Sequence, residues 1–141
     1  MVNKYLSDFS TVFDPLASYS SHLLGVCASG KKYIGKDYRV SVVAEGNNII
    51  NSLDLDAQLE LNNAGVSSGR YDCMFTMLPN YNKEIFDSHI ELKTCDTWID
   101  TFRFCYPCKK YVFVATDTIK YKKNIVETIV DDDITYYIIV I

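Results

Sequence analysis

Two acid-bearing segments around a short turn, near the middle of the chain, constrain the fold most. Residues 72–78 have strand composition, residues 79–84 are rich in turn formers, and residues 85–94 are a second strand candidate. Antiparallel pairing centred on this turn places Asp72 directly opposite Glu91. Carboxylates that face each other on one side of a sheet repel. The sequence therefore predicts a β-hairpin that holds a cation between these two acids.

The chemistry of the hairpin follows from its side chains. Carboxylate oxygens are hard ligands that suit Mg²⁺ or Mn²⁺. Lys93 lies two residues after Glu91 and shares its face, because side chains along a strand alternate. An acid pair for a metal with a lysine beside it is an arrangement suited to phosphodiester hydrolysis.

Asp72, followed by Glu91-x-Lys93 on the next strand, resembles the PD-(D/E)xK nuclease superfamily over residues 38–115. Tyr71 stands where that family often has proline. The resemblance implies an α/β fold: a central mixed β-sheet flanked by helices, with an αβββαβ restriction-endonuclease-like core. It also implies a divalent-metal-dependent endonuclease that hydrolyses DNA with one or two Mg²⁺ or Mn²⁺ ions.

The same resemblance assigns roles to individual residues. Asp72 and Glu91 would bind the metal, with the carbonyl oxygen of Leu92 as a third ligand. Lys93 would orient the attacking water and stabilise the negative charge that develops at phosphorus.

Many members of the superfamily supply a further acid from a preceding helix. Glu45 is the candidate for that catalytic role, and Glu60 is its rival. Arg70, His89 and Thr94 lie beside the predicted site and are candidate substrate contacts.

The rest of the chain shows helical and strand patterns of unequal clarity. Residues 38–53 favour a helix, although a strand over 39–44 is the alternative, and residues 118–130 give no clear pattern. The other predicted elements are a helix over 4–24 broken at Pro15, a loop over 25–35, strands over 57–61, 111–115 and 136–141, and a helix over 96–104 capped by Asp96.

Length and composition favour a single globular domain over residues 1–141. The chain is 48% hydrophobic and 23% charged, which suits a packed core. We expect an intracellular, cytoplasmic protein with no membrane partner, because no apolar run is long enough to span a bilayer and the N-terminus lacks a signal-peptide layout. The net charge of −4 leaves only local lysine clusters for DNA. These are Lys31, Lys32 and Lys36; Lys109 and Lys110; and Lys120, Lys122 and Lys123.

Two other classes of function stay open at this stage. One is a binding or regulatory module without catalysis, which the acidic balance favours. The other is a small zinc protein that uses Cys105 and Cys108 with Cys95 or His89. For a nuclease, a homodimer is attractive because nicks on opposite strands need two active sites. The many Asn, Ile, Lys and Tyr residues hint at a viral or mobile-element source.

Overall fold

The computed structural model describes residues 1–18, 20–61, 70–79 and 94–141 as an α/β fold with a seven-stranded mixed sheet. The strands are β1 (Thr11–Asp14), β2 (Lys32–Asp37), β3 (Ala57–Leu61), β4 (Cys73–Met77), β5 (Lys110–Ala115), β6 (Ile125–Asp131) and β7 (Ile134–Val140). The helices are α1 (Val2–Tyr5), α2 (Ser21–Ala28), α3 (Val40–Leu53) and α4 (Cys95–Cys105), with a short 3₁₀ helix at Lys122–Asn124.

The strands lie in the order β3-β2-β1-β4-β5-β7-β6. Strands β1 to β5 are parallel, whereas β7 runs antiparallel to both β5 and β6. We call the end of the sheet where β1 to β5 begin the amino edge, and the opposite end the carboxyl edge. The chain order changes direction between β1 and β4, and ligands of open α/β sheets bind at such a switch point, beyond the carboxyl ends of the strands.

Helices cover both faces of the sheet. On one face α1, α2 and α3 pack through Val2, Val26 and Ile50 against strand residues such as Val12. On the other face α4 packs through Ile99 and its neighbours. Apolar side chains on both sides make the central strands nearly continuously hydrophobic, as in other parallel sheets.

Helix α3 confirms the helical interpretation of residues 38–53 and rejects the strand alternative. Its buried stripe is Val42, Gly46 and Ile50, which is helical spacing. Gly46 lies against Leu59 of β3, so closely that a Cβ there would collide with a methyl group of that leucine. The glycine, unfavourable for a helix, thus allows the close approach of α3 to the sheet.

The predicted helix over residues 4–24 is wrong. This segment contains α1, then β1, and only afterwards the start of α2. The predicted loop over 25–35 is also wrong, because α2 continues to Ala28 and β2 begins at Lys32. A short apolar run such as Thr11–Asp14 has no periodicity that separates a strand from one turn of a buried helix.

The predicted hairpin around residues 79–84 is wrong as well. Strand β4 lies between β1 and β5 and pairs in parallel with both, so neither of its sides is open to a following antiparallel strand. Most of the predicted second strand, residues 85–93, lies outside the described residues. The general α/β prediction with a mixed sheet holds, but the αβββαβ nuclease core does not.

Later elements match the sequence more closely. The predicted strands at 57–61 and 111–115 are β3 and β5, the final strand is β7, and β6 falls in the stretch without a clear pattern. Helix α4 is confirmed, but its N-cap is Thr94, whose hydroxyl accepts a hydrogen bond from the Thr97 amide at 3.2 Å. Within the described parts of the chain, no helix has the length and hydropathy needed to cross a membrane.

Replacing Thr94 tests this cap. Thr94→Ala is expected to lower the free energy of unfolding by about 1 kcal/mol, because one amide of the first turn of α4 loses its acceptor. Thr94→Ser keeps the hydroxyl and should stay close to the wild type. Urea denaturation of the three proteins measures the difference, and equal losses for Ala and Ser would contradict the assignment.

Candidate functional site

A fully buried carboxylate, Asp14, lies at the carboxyl end of β1, beside the switch point. Burying an unpaired charge costs several kcal/mol, so such a group needs partners on all sides. The partners of Asp14 come from its own loop, from two neighbouring strands and from α2. This one side chain therefore joins the elements that surround the switch point at the carboxyl edge. We call this place the Asp14 crevice.

Four donors satisfy the two oxygens of Asp14. Oδ1 accepts hydrogen bonds from the Leu16 amide at 3.1 Å and from the Thr76 hydroxyl of β4 at 2.6 Å. Oδ2 accepts one from the Tyr33 hydroxyl of β2 at 3.1 Å and contacts Nδ1 of His22 at 2.8 Å. The Thr76 bond crosses the switch point and joins the carboxyl ends of β1 and β4.

Tyr33 reaches Asp14 because Gly35 leaves room for its ring. Gly35 is the register partner of Asp14 on the neighbouring strand, and the Tyr33 ring lies over it, where any Cβ would collide. Burial and the negative charge of Asp14 raise the pKa of Tyr33, so the hydroxyl stays protonated and donates. A glycine within β2 thus has a packing role at this site.

His22 lies in the first turn of α2 with only 12% of its side chain exposed. Burial lowers the pKa of its imidazole, whereas the hydrogen bond to Asp14 and the charge of Asp14 raise it. The net result is a pKa above its ordinary value. The folded protein therefore holds a proton on His22 more tightly than the unfolded chain does.

This raised pKa predicts how stability depends on pH. The extra stability is fully present below the unfolded pKa of about 6.5 and is lost as the pH rises through the folded pKa. The gap in free energy of unfolding between wild type and His22→Gln should be larger at pH 5.5 than at pH 8.5. Chemical denaturation at several pH values measures that gap. A gap that widens towards high pH would contradict the assignment.

A second buried acid, Asp37, ends β2 at the same edge and is 1% exposed. Its Oδ1 accepts hydrogen bonds from the amide and Nε of Arg39, at 2.9 and 3.0 Å. Its Oδ2 accepts bonds from Nη2 of Arg39 at 3.1 Å and from the Ser18 amide at 2.9 Å. Ser18 belongs to the β1–α2 loop and has a φ of 54°, so Asp37 holds a left-handed bend of that loop in place.

The acids expected from the sequence lie elsewhere. Asp72 is exposed just before β4, at the amino edge, where its carboxylate pairs with Lys109 at 3.0 Å. Glu45 is exposed on α3, and Glu60 is exposed on β3. The structure therefore places Asp72 at the opposite end of the sheet from Asp14.

Of the other predicted site residues, Arg70 lies in the same segment as Asp72 and is exposed near the amino edge, whereas Thr94 lies apart at the start of α4, which it caps. His89, Glu91, Leu92 and Lys93 lie outside the described residues.

The described residues hold no group of three His, Cys, Asp or Glu side chains arranged to bind a metal. The zinc alternative based on Cys105, Cys108 and Cys95 therefore finds no such group there, and its other candidate, His89, is outside the described ranges. Burial raises the pKa of the Cys108 thiol to about 11, so the free thiol is protonated at neutral pH.

The sequence analysis missed Asp14 and Asp37. Each ends a strand at the carboxyl edge, which is where polar side chains of a parallel sheet meet a ligand. For Asp14 the signal was an acid directly after a short apolar run, whereas Asp37 follows a lysine and lacked that signal. Both strands fell in segments that were interpreted as helix and loop.

No family model matches the chain, and no curated protein is similar enough in sequence to match. Solved structures do share its fold. The Escherichia coli protein yhhF, assigned as a methyltransferase, has a TM-score of 0.67 at 10% identity, over 97% of this chain and 80% of that one. M. capricolum TrmK, solved with S-adenosylhomocysteine, has a TM-score of 0.64 at 10% identity, over 93% and 61%. The T. thermophilus 16S rRNA N2 G1207 methyltransferase has a TM-score of 0.62 at 16% identity, over 92% and 36%.

These likenesses show a Rossmann-like fold of the kind found in methyltransferases. They overturn the resemblance to PD-(D/E)xK nucleases, which is wrong. The predictions of a Mg²⁺-dependent DNA endonuclease and of bound Mg²⁺ or Mn²⁺ are wrong with it, because the similar structures are described as methyltransferases and several hold S-adenosylmethionine or its product.

Proposed function

We propose that the chain binds S-adenosylmethionine at the carboxyl edge and transfers its methyl group to a nucleic acid. The observation that carries this proposal is the pair of buried acids, Asp14 and Asp37, which end adjacent strands beside the switch point. Asp14 holds together the elements around the crevice through its hydrogen bonds, and Asp37 lies beside the crevice at the end of β2. The fold shared with methyltransferases supports the same conclusion.

The geometry of Asp37 suits the ribose of an adenosyl group. Arg39 presents two N–H donors side by side, one to each oxygen of the carboxylate. A ribose diol also presents two neighbouring donors, and an acid after the second strand of a Rossmann-like fold commonly accepts from them. The Arg39 side chain is 26% exposed, so it has room to move aside. We infer that Arg39 occupies the place that the ribose would take.

The β1–α2 loop favours an adenosyl cofactor over a dinucleotide. Dinucleotide-binding folds use several glycines in this loop so that the backbone can approach a pyrophosphate. The segment between Asp14 and Ser21 contains no glycine, and among its described residues Ser18 has a left-handed backbone. S-adenosylmethionine has no pyrophosphate and makes no such demand.

The bound cofactor would supply an electrophilic methyl group on a sulfonium centre. Asp37 would hold the ribose, while Asp14 would fix the β1–α2 loop and keep β4 in register with β1. The N-terminus of α2 offers a favourable field for a carboxylate, which His22 in its first turn strengthens when its imidazole is protonated. The methyl acceptor would approach beyond β4, on the other side of the switch point.

A nucleic acid is the proposed acceptor. Three of the similar structures are described as an RNA methyltransferase, a 16S rRNA methyltransferase and a tRNA methyltransferase. The chain spans about a third of the last two, 36% and 34% of their lengths.

Titration with S-adenosylhomocysteine tests the cofactor proposal. Asp37→Asn should weaken binding by about tenfold or more, because a charged acceptor for two hydroxyl donors is lost. Arg39→Ala should tighten binding by about tenfold, because no guanidinium then competes for Asp37. Isothermal titration calorimetry gives both constants.

Asp8→Asn, an exposed acid at the amino edge, is the matched control and should leave the affinity unchanged. If neither the wild type nor Arg39→Ala binds, the cofactor proposal fails. If the wild type binds and Asp37→Asn binds equally well, the cofactor lies elsewhere.

A further inference from the structure

Five cationic side chains gather at the amino edge, at the end of the sheet away from the Asp14 crevice. Lys110 begins β5 in register with Cys73, which begins β4. The amide of Lys109 donates to the Asp72 carbonyl at 2.9 Å, which holds the segment before β4 against the start of β5. Arg70 lies in that segment and is exposed, as is Lys109.

The short 3₁₀ helix adds two more cations to this edge. Lys122 and Lys123 are exposed and precede β6, which begins opposite the end of β7. Asn124 donates to the Val140 carbonyl at 3.2 Å, and Ile141 exchanges two backbone hydrogen bonds with Tyr111. We call the whole set the basic edge cluster: Arg70, Lys109, Lys110, Lys122 and Lys123.

The charge of the cluster is barely offset by the described residues around it. Asp72 pairs with Lys109, but the two side chains are 64% and 77% exposed, so the pair contributes little and is easily exchanged. At the other end of the same strands lie Asp117 and the β6–β7 turn, which carries three consecutive aspartates, 131–133. The described part of the molecule is therefore positive at one end of β5 and β6 and negative at the other.

An exposed aromatic ring lies at the same edge. Helix α4 leads into β5, so its last turn reaches the amino edge, and there Phe104 is 88% exposed. Phe104 is the most exposed of the large apolar side chains in the described residues, so its ring is free to stack on a ligand. A ring beside cations is the combination that binds single-stranded nucleic acid, since the ring stacks on a base and the cations meet phosphates.

We propose that the basic edge cluster and Phe104 form a binding surface for single-stranded nucleic acid. Three strand spacings separate β4 from β6, about 14 Å, so the cations can meet more than one phosphate of an extended strand. A membrane surface fits less well, because insertion requires several apolar side chains on one face, whereas stacking requires one ring. The aspartates at the far end repel phosphates and so favour binding at this edge. The surface rests on the proposed function only through its nucleic-acid acceptor: it would bind a part of that strand away from the methylated nucleotide, which would lie at the carboxyl edge, and its binding does not depend on the cofactor.

Fluorescence anisotropy with a labelled 20-nucleotide single strand, without cofactor, tests the surface. The double variant Lys122→Ala/Lys123→Ala should bind about tenfold more weakly, and its salt slope should fall by about 1.4, since each phosphate contact contributes about 0.7. The double variant Lys36→Ala/Lys120→Ala removes the same charge outside the cluster and should bind like the wild type.

Phe104 provides an independent arm of the test. Phe104→Ala should weaken binding at least about fivefold and leave the salt slope unchanged, whereas Phe104→Tyr should restore binding, because a tyrosine ring also stacks. Equal losses in the cluster variant and the control variant would overturn the proposal. So would an absence of binding by the wild type, or binding only to anionic lipid vesicles in a parallel assay. Because the oligonucleotide is titrated without cofactor, failure here leaves the S-adenosylhomocysteine result unaffected.

Discussion

The buried carboxylate of Asp14 is the constraint on which the rest of the site depends. A charge with no exposure needs donors, and here they come from the β1–α2 loop, β2, β4 and α2. Removing one donor from such a group costs about 1–3 kcal/mol, so each partner restrains the element that carries it. At the switch point, the hydrogen bond from Thr76 of β4 to Asp14 joins the carboxyl ends of the two paired strands β1 and β4.

The two ends of the sheet differ in the charge and in the burial of their side chains. The carboxyl edge gathers buried acids whose oxygens already accept hydrogen bonds from the chain itself, so a ligand has to displace a donor such as Arg39. The amino edge gathers cations, most of them exposed, whose side chains contribute little to the packing of the core. The two proposed sites thus lie at opposite ends of the sheet, so a nucleic acid held at the amino edge would have to extend to the carboxyl edge for its base to be methylated.

The sequence predicted the parts of the fold that have strong local patterns. Helix α3 shows helical spacing over four turns, and β5 is a long run of apolar residues. The N-terminal third was missed because β1 has only four residues and β2 carries lysines at two of its three half-buried positions. The apparent match of Asp72 with Glu91 failed for a non-local reason. Strand β4 pairs with segments about 35 to 60 residues away, and no local pattern reports such pairing.

The central claim is that ligand binding takes place in the crevice that Asp14 and Asp37 border. Hydrogen–deuterium exchange with and without saturating S-adenosylhomocysteine tests it most directly, because it locates the ligand along the chain. With ligand bound, we predict slower exchange in the described β1–α2 loop and at the amides following Asp37, and no change around Lys109 and Lys110. Protection confined to the amino edge, or no protection anywhere, would contradict it.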